Sequence, residues 1–265
     1  MLQMNNTNCV LTIAGSDSCG GAGIQADLKT FTRHGAEGAS VLTAVTAQNT
    51  VGVSAVETLS PRFVRAQLDA VLADLPIRAA KTGMLATAPI IETLAEGLTL
   101  NPELKLVIDP VMVATSGARL LDADAEQALI ELLLPRAALV TPNLPEAAAL
   151  TGLPEGSDPL RLAEAILDTG CDAVLVKGGH GHGSRIEDLL VSQFGHSSFS
   201  HERTNRRIHG TGCALSAAIT ARLGRGEDLE SATGKSIEWL QGMIASSWQP
   251  LKGELAMLPF GAGNG

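Results

Sequence analysis

The chain has 265 residues, of which 45% are hydrophobic and 18% are charged, so it is long enough to bury a sizeable core. Its net charge of −9 and its aromatic content of 3% argue against the basic, base-stacking surface of a nucleic-acid-binding protein. No apolar run approaches the length of a membrane span. We therefore expect a small molecule as the ligand, with no nucleic acid and no membrane as partner.

The cysteines are few and scattered, which bears on the cellular compartment. Cys9, Cys19, Cys171 and Cys213 form no CxxC pair, and this argues against both a zinc knuckle and a disulfide framework. The first eight residues are polar and lack the basic segment of a signal peptide. These features predict a protein of the reducing cytoplasm.

Short apolar runs alternate with longer helical patterns along the whole chain. We predict strands at 9–14, 39–47, 77–81, 104–108, 138–140 and 173–176. We predict helices at 23–33, 61–74, 88–97, 123–134, 159–169, 211–223 and 227–247. Two more polar runs, 186–191 and 197–203, predict an antiparallel hairpin at one edge of the sheet. The alternation favours a mostly parallel sheet covered by helices on both faces, in one domain spanning 1–265 with tails at 1–8 and 259–265.

Polar and glycine-rich segments follow the predicted strands at their carboxyl ends, where sheets of this kind bind ligands. These segments lie at 15–23, 48–50, 81–84, 109–112, 141–143 and 177–180. Their repeated position is more specific than any single motif, and it predicts one ligand site at this edge of the sheet.

The segment 209–213, HGTGC, precedes a strongly apolar helical pattern and allows two interpretations. In the first, Thr211 is only an N-cap after a tight turn. In the second, the unpaired amides and the positive dipole end of the helix form an anion site, with Cys213 at its edge. A helix N-terminus can also lower the pKa of a thiol such as that of Cys213.

Two charged residues near the strand ends, Glu146 and Lys177, also allow two interpretations each. Asn143 and Glu146 have the spacing of a capping box, but Glu146 and Asp109 would also lie close enough to hold Mg²⁺ directly or through water. Lys177 is either a solvated lysine at a strand end or a phosphate ligand above a glycine loop. The residues alone leave these alternatives open.

Together, the motifs resemble those of the hydroxymethylpyrimidine/phosphomethylpyrimidine kinases of thiamine biosynthesis, in the ribokinase-like superfamily. The resemblance covers almost the full chain. It rests on LTIAGSD at 11–17, GGAGIQADLKT at 20–30, AQNT at 47–50, KTGML at 81–85, DPVM at 109–112, TPNLPEA at 141–147, KGGH at 177–180 and HGTGC at 209–213.

The resemblance implies a single three-layer α/β/α domain that acts as a kinase. It implies phosphorylation of 4-amino-5-hydroxymethyl-2-methylpyrimidine at the alcohol and then at its monophosphate, with ATP and Mg²⁺, by a homodimer. A pyridoxal kinase of the same superfamily and a ligand-sensing relative without turnover are the alternatives.

The resemblance also implies a role for individual residues. For the substrate it implies a hydrogen bond from Gln48, with a pocket wall and neighbouring residues at Ala22, Asp27, Met84 and Val111. For ATP and the metal it implies Lys177 and Asn143, with Asp109 and Glu146 on the Mg²⁺ side. For phosphoryl transfer it implies the turn of Gly210, Thr211, Gly212 and Cys213, with Cys213 as a candidate base for the alcohol proton.

Two positions depart from the pattern of the family. Cys19 stands where a serine is common, and Thr115 stands where many relatives carry lysine. A hydroxyl contact at the first position and a phosphate contact at the second are therefore not implied for this chain.

Overall fold

The computed structural model describes residues 7–113, 120–180 and 184–261. Within these ranges the chain forms strands β1 (Cys9–Asp17), β2 (Glu37–Gln48), β3 (Val53–Thr58), β4 (Ile77–Thr82), β5 (Lys105–Ile108), β6 (Ala137–Val140), β7 (Ala173–Val176), β8 (Arg185–Ser192), β9 (Gly195–Glu202), β10 (Ile208–His209) and β11 (Ala256–Met257). The α-helices are α1 (Gly23–Arg33), α2 (Pro61–Asp74), α3 (Ala88–Leu98), α4 (Ala123–Ala128), α5 (Leu144–Thr151), α6 (Pro159–Leu167), α7 (Thr211–Gly224) and α8 (Leu229–Ala245).

Nine of these strands form one sheet, in the order β3-β2-β1-β4-β5-β6-β7-β8-β9. The six central strands, from β2 to β7, run parallel, and β3 and the β8–β9 hairpin add antiparallel edges. Strands β10 and β11 pair separately as a short parallel ribbon. The predicted, mostly parallel sheet and its antiparallel hairpin are confirmed.

The central strands are apolar on both faces, because helices cover the sheet on both sides. In β5, Leu106 and Ile108 belong to one buried cluster, and Val107 between them belongs to the other. Helices α2, α3 and α6 contribute to the first cluster, and helices α7 and α8 contribute to the second. The side chains alternate with the period of two that a strand imposes. The result is the predicted three-layer α/β/α fold.

Some predicted elements were wrong in their bounds, and four were missed: β3, α5 and the two-residue strands β10 and β11. Strand β3 was missed because most of its residues are exposed, which removes the apolar signal. Helix α5 was missed because it has only eight residues, although its capping box was recognised. The predicted helix 123–134 begins as α4 but continues as a π-helical turn over Leu129–Leu133 and a 3-10 turn over Leu134–Arg136.

The described residues next to the two predicted tails contact the rest of the domain. Asn8 is buried and its side chain donates to the carbonyl of Ala221 at 2.8 Å. Near the other terminus, Arg33 donates to the carbonyl of Pro259, and the Lys29 ammonium lies 5.5 Å from the ring centre of Phe260. In the described part of the chain, no helix has both the length and the apolar character needed to cross a bilayer.

Candidate active site

A cavity of about 260 Å³ opens at the carboxyl ends of the central strands. The residues predicted at the site come together there, with one exception. Its lining includes Ala22, Gln48, Met84, Asp109, Val111, Asn143, Glu146, Lys177, Gly210, Thr211, Gly212 and Cys213. These residues come from separate loops that follow different strands, so only the parallel sheet brings them into one place.

Asp27 is the exception, because the structure does not place it on the cavity wall. It is fully buried in α1, where it accepts from Thr12 at 2.6 Å and pairs with the Lys81 ammonium at 2.9 Å. This side chain therefore does not face the cavity, and its expected place near the substrate stays a prediction. Its carboxylate stabilises the charged form of Lys81. Burial alone would lower the pKa of Lys81, but the surrounding negative groups, of which Asp27 contributes most, together outweigh burial and raise that pKa.

The turn before α7 has the geometry of an anion site. Gly210 is the N-cap, with φ of 78°, and helix α7 starts at Thr211. The interpretation of Thr211 as the N-cap was therefore wrong. A side chain at Gly210 would collide with the carbonyl oxygen of Gly21, so both the backbone conformation and the packing require glycine. The first amides of α7 line the cavity and have the positive end of the helix dipole behind them.

A buried ion pair lies under this turn. The Lys177 ammonium is 3.0 Å from Asp109 Oδ1, and Ser216 donates to Asp109 Oδ2 at 3.3 Å. A Cβ on Gly212 would lie 3.3 Å from Lys177 Nζ, so the absence of a side chain lets the turn approach the ammonium closely. Burial alone would raise the pKa of Asp109, but the charges of Lys177 and Lys81 outweigh it and lower that pKa.

Glu146 fits both of its interpretations. It forms the predicted capping box, in which Glu146 Oε2 accepts from the Asn143 amide at 2.8 Å and Asn143 Oδ1 accepts from the Glu146 amide at 2.9 Å. It also lines the cavity with Asp109. Burial raises the pKa of Glu146 to about 7; the Lys177 ammonium opposes this rise and the negative charge of Asp109 adds to it.

Cys213 does not have the low thiol pKa that its position at a helix N-terminus led us to expect. Burial raises its pKa to about 12, and the positive charge of Lys81 only partly offsets this effect. The carboxylates of Asp27 and Asp109 raise it further. The thiol is therefore neutral at physiological pH.

A hydrogen-bonded group that the sequence analysis did not assign to the site lies beside Gln48. The Asp17 carboxylate accepts from the backbone amides of Gly21 and Ala22 at 3.0 and 2.8 Å, which holds the glycine turn before α1. The same oxygen lies 2.9 Å from His209 Nε2, which in turn lies 3.3 Å from Gln48 Nε2. Both residues stood inside recognised motifs, but only the fold brings the ends of β1 and β10 together.

A second, smaller cavity of about 130 Å³ adjoins the first and shares Lys177, Thr211 and Gly212 with it. Its other walls come from the β8–β9 hairpin and from the apolar side of α8, including Ile237 and Leu240. No motif pointed to this cavity, because residues spread over helix α8 form an apolar pattern that is typical of any buried helix face.

Of the two positions that depart from the family pattern, the structure describes Cys19 but not Thr115. The Cys19 amide donates to Asp17 Oδ1 at 3.0 Å, and its thiol donates to Oδ2 at 3.4 Å. The backbone of the turn is therefore held with cysteine at this position. Thr115 lies outside the residues that the structure describes.

Comparison with known proteins agrees with this fold and site. The profile of the family described as phosphomethylpyrimidine kinase matches residues 17–257. A hydroxymethylpyrimidine/phosphomethylpyrimidine kinase of Rhizobium meliloti is 51% identical over 245 residues, which cover 91% of this chain and 92% of that protein.

Two solved structures are also similar. The phosphomethylpyrimidine kinase of Clostridium difficile 630 has a TM-score of 0.80 and 43% identity, covering 89% of this chain and 99% of that one. The pyridoxal kinase of Staphylococcus aureus, in complex with AMP-PCP and pyridoxal, has a TM-score of 0.88 and 33% identity, covering 97% and 95%.

The fold and the site define a ribokinase-like kinase that transfers a phosphoryl group to a small molecule. Within that class, the chain belongs to the phosphomethylpyrimidine kinase family.

Proposed function

We propose that this protein phosphorylates 4-amino-5-hydroxymethyl-2-methylpyrimidine with ATP, first at the alcohol and then at the monophosphate so formed, in thiamine biosynthesis. One observation carries the proposal: a single cavity contains both the carboxamide of Gln48 and the amide turn of α7. A carboxamide offers a donor and an acceptor side by side, which suits a ring nitrogen next to an amino group. Ala22, Met84 and Val111 supply the apolar wall for the ring.

The chain's own residues supply the positive field for phosphoryl transfer. In the first step the alcohol oxygen bonds to the γ-phosphorus of ATP, the bond from that phosphorus to the bridging oxygen of ADP breaks, and the alcohol proton leaves to a phosphate oxygen. The amides of residues 211–213 and the Lys177 ammonium face the developing charge. Such transfer depends mainly on positioning and charge neutralisation.

The donor set at the cavity fits Mg²⁺. Asp109 and Glu146 supply only oxygen atoms, and Mg²⁺ prefers one or two carboxylates together with phosphate oxygens and water. Lys81 is already paired with Asp27, so Asp109 and Glu146 share the ammonium of Lys177, and carboxyl groups outnumber ammonium groups by one. A cation would offset this excess of negative charge. A bound Mg²⁺ neutralises charge on the phosphates, and Asp109 and Glu146 would hold it.

The smaller cavity suits the nucleoside part of ATP. It adjoins Lys177, Thr211 and Gly212, and its other walls include the apolar Ile237 and Leu240 of α8. A nucleotide whose phosphates lie at the turn would therefore reach it without crossing the Gln48 side of the main cavity.

Kinase assays with parallel substrates test the proposed function. Purified protein is incubated with ATP, Mg²⁺ and either the aminopyrimidine alcohol or pyridoxal, and products are followed by mass spectrometry. We expect the pyrimidine monophosphate first and the diphosphate afterwards. A product from pyridoxal alone would establish the pyridoxal kinase alternative, and binding without any turnover would establish the sensing alternative.

The assembly and the location are part of the proposal. We infer a homodimer, as the resemblance to the family implies. Light scattering at micromolar concentration tests this, and a monomeric mass would contradict it. The four free cysteines agree with the reducing cytoplasm.

A further inference from the structure

The carboxamide of Gln48 lies between Thr46 and His209 at the mouth of the cavity. Its nitrogen is 3.3 Å from His209 Nε2, and its oxygen is 3.2 Å from Thr46 Oγ1. The two ends of a carboxamide have opposite hydrogen-bonding character, and they exchange places by rotation of one terminal torsion. The neighbours of the carboxamide therefore determine whether a ligand on each side contacts its oxygen or its NH₂ group.

The neighbour on one side is a donor. His209 Nε2 lies 2.9 Å from Asp17 Oδ2, and both side chains are buried. Burial alone would raise the pKa of Asp17, but the hydrogen bond and charge of His209 lower it to about 2, so the carboxylate is ionised and can only accept. Because Nε2 carries the hydrogen that it donates to Asp17, it has no lone pair with which to accept from the NH₂ end of Gln48. The carboxamide oxygen, which can share that hydrogen, is therefore the end of Gln48 that suits this side.

The neighbour on the other side is an acceptor. Thr46 Oγ1 lies 2.9 Å from the carbonyl oxygen of Ser16, which can only accept. The single hydroxyl hydrogen is therefore used on Ser16, and Oγ1 has only lone pairs left for Gln48. The NH₂ end of the carboxamide suits this side. The two sides independently favour the same orientation, in which the nitrogen and oxygen of the carboxamide exchange the places given above.

We propose that Asp17 and His209 are positioning residues that fix the Gln48 carboxamide with its oxygen toward the imidazole and its NH₂ toward Thr46, and so set the orientation in which an aminopyrimidine binds. The proposal rests on the proposed function. The free lone pair of the oxygen accepts from the ring amino group on the His209 side. The free N–H donates to the ring nitrogen on the Thr46 side.

The test measures kcat/KM for the aminopyrimidine alcohol and for an analogue with hydrogen in place of the 4-amino group. The wild-type protein prefers the amino compound, and His209→Leu reduces this preference about tenfold, since it removes the donor that orients Gln48. His209→Gln restores part of the preference, because its amide nitrogen replaces Nε2 as a donor. His196→Leu, at an exposed histidine of β9, is the matched control and leaves the preference unchanged.

The ratio of the two substrates separates positioning from a merely structural role. A disturbed turn at 210–213 slows phosphoryl transfer to both substrates alike and leaves the ratio unchanged. Thr46→Val, which removes the acceptor at nearly equal volume, is the second variant and decides the matter if His209→Leu does not fold. No preference in the wild-type protein, or an unchanged ratio in the folded variants, overturns the proposal. Absence of pyrimidine turnover in the wild-type protein instead overturns the proposed function.

Discussion

Lys81 and Lys177 each form an ion pair with a carboxylate near the cavity, and the two pairs differ in their access to a ligand. The Lys81–Asp27 pair is completely buried, at 2.9 Å, and does not line the cavity. The Lys177–Asp109 pair, at 3.0 Å, lines it and keeps part of its surface open to a ligand. The first pair therefore sets the field beneath Cys213, and the second is available to substrate phosphates.

Cys213 could act in phosphoryl transfer as the base for the alcohol proton or only as a residue that positions the substrate. With a pKa raised to about 12, it is not a ready base, so we expect Cys213→Ser to slow both phosphorylations by less than about tenfold. The rates of the two steps are measured separately, starting from the alcohol and from the monophosphate. Cys171→Ala, at a buried thiol away from the cavity, is the control. A loss of about 100-fold in the first step alone would establish Cys213 as the base.

The Lys81–Asp27 pair predicts a strong, non-additive effect on stability. Asp27→Asn or Lys81→Met leaves one buried charge without its partner, and we expect each to lower the free energy of unfolding by about 3–5 kcal/mol. The double variant loses less than the sum, because neither charge is then left alone. Urea unfolding measures all three. Lys235→Met, in the exposed pair with Glu227, is the control and changes stability by about 1 kcal/mol or less. Additive losses would contradict the prediction.

At the scale of an element, helix α7 links the core to the site. Its residues from Ala214 onward are almost all buried, and six of them belong to the second apolar cluster. Its first turn lines the cavity. The helix is thus held rigidly by the same packing that aims its amides at the cavity. This satisfies the geometric requirement of a preorganised anion site.

Two glycines in left-handed conformations flank α7 and give a matched pair of variants. Gly210 has φ of 78° and no space for a side chain, whereas Gly226 has φ of 84° and open space where a Cβ would lie. We expect Gly210→Ala to lower kcat by about 100-fold or more, because the amides of the turn shift. Gly226→Ala carries only the backbone strain and keeps its kcat. Equal losses of kcat in folded protein would exclude a special role of the turn.

For the whole molecule, two apolar clusters on opposite faces of the sheet carry the fold. On the face of the second cluster, the ring of His34, the residue after α1, packs edge to face on Trp239 of α8, with 4.7 Å between the ring centres. The His34 Nε2 atom is buried there without a hydrogen-bond partner. Protonation of this ring therefore acts on the stability of the molecule as a whole.

Burial, with a smaller contribution from the charges of Arg222 and Arg225, lowers the pKa of His34 from 6.5 to about 4. The unfolded chain binds this proton first, so the stabilising contribution is complete above pH 6.5 and is lost as the pH falls toward 4. As the pH falls from 7 to 4, protonation of His34 lowers the free energy of unfolding of the wild-type protein. We expect His34→Phe to remove up to about 3 kcal/mol of this decrease. Urea unfolding between pH 4 and 7 measures it, and His196→Phe, at an exposed ring, serves as the control. Identical pH profiles for wild type and His34→Phe would refute this account.

The sequence predicted the location of some site residues but not the contacts of others. Lys177, Gln48 and the 210–213 turn follow strands, and this local signal was enough to gather them at one edge of the sheet. The pairing of Asp27 with Lys81 was not predicted, because a motif gives the position of a residue along the helix but not the direction of its side chain. His209 and Asp17 were missed as site residues because their contact spans 192 positions of the chain.

The sequence by itself determined the alternation of strands and helices, the family and the edge of the sheet that carries the site. These features follow from local periodicity and from short motifs, and both can be read from residues that are close together in the sequence. Only the tertiary structure decided the protonation state of Cys213, the burial of Asp27 and the hydrogen-bond order from Asp17 to Gln48. The physical reason is that solvation and electric field at an atom depend on neighbours that are distant in sequence. The amide turn of α7 was predictable, but the charge of the thiol beside it was not.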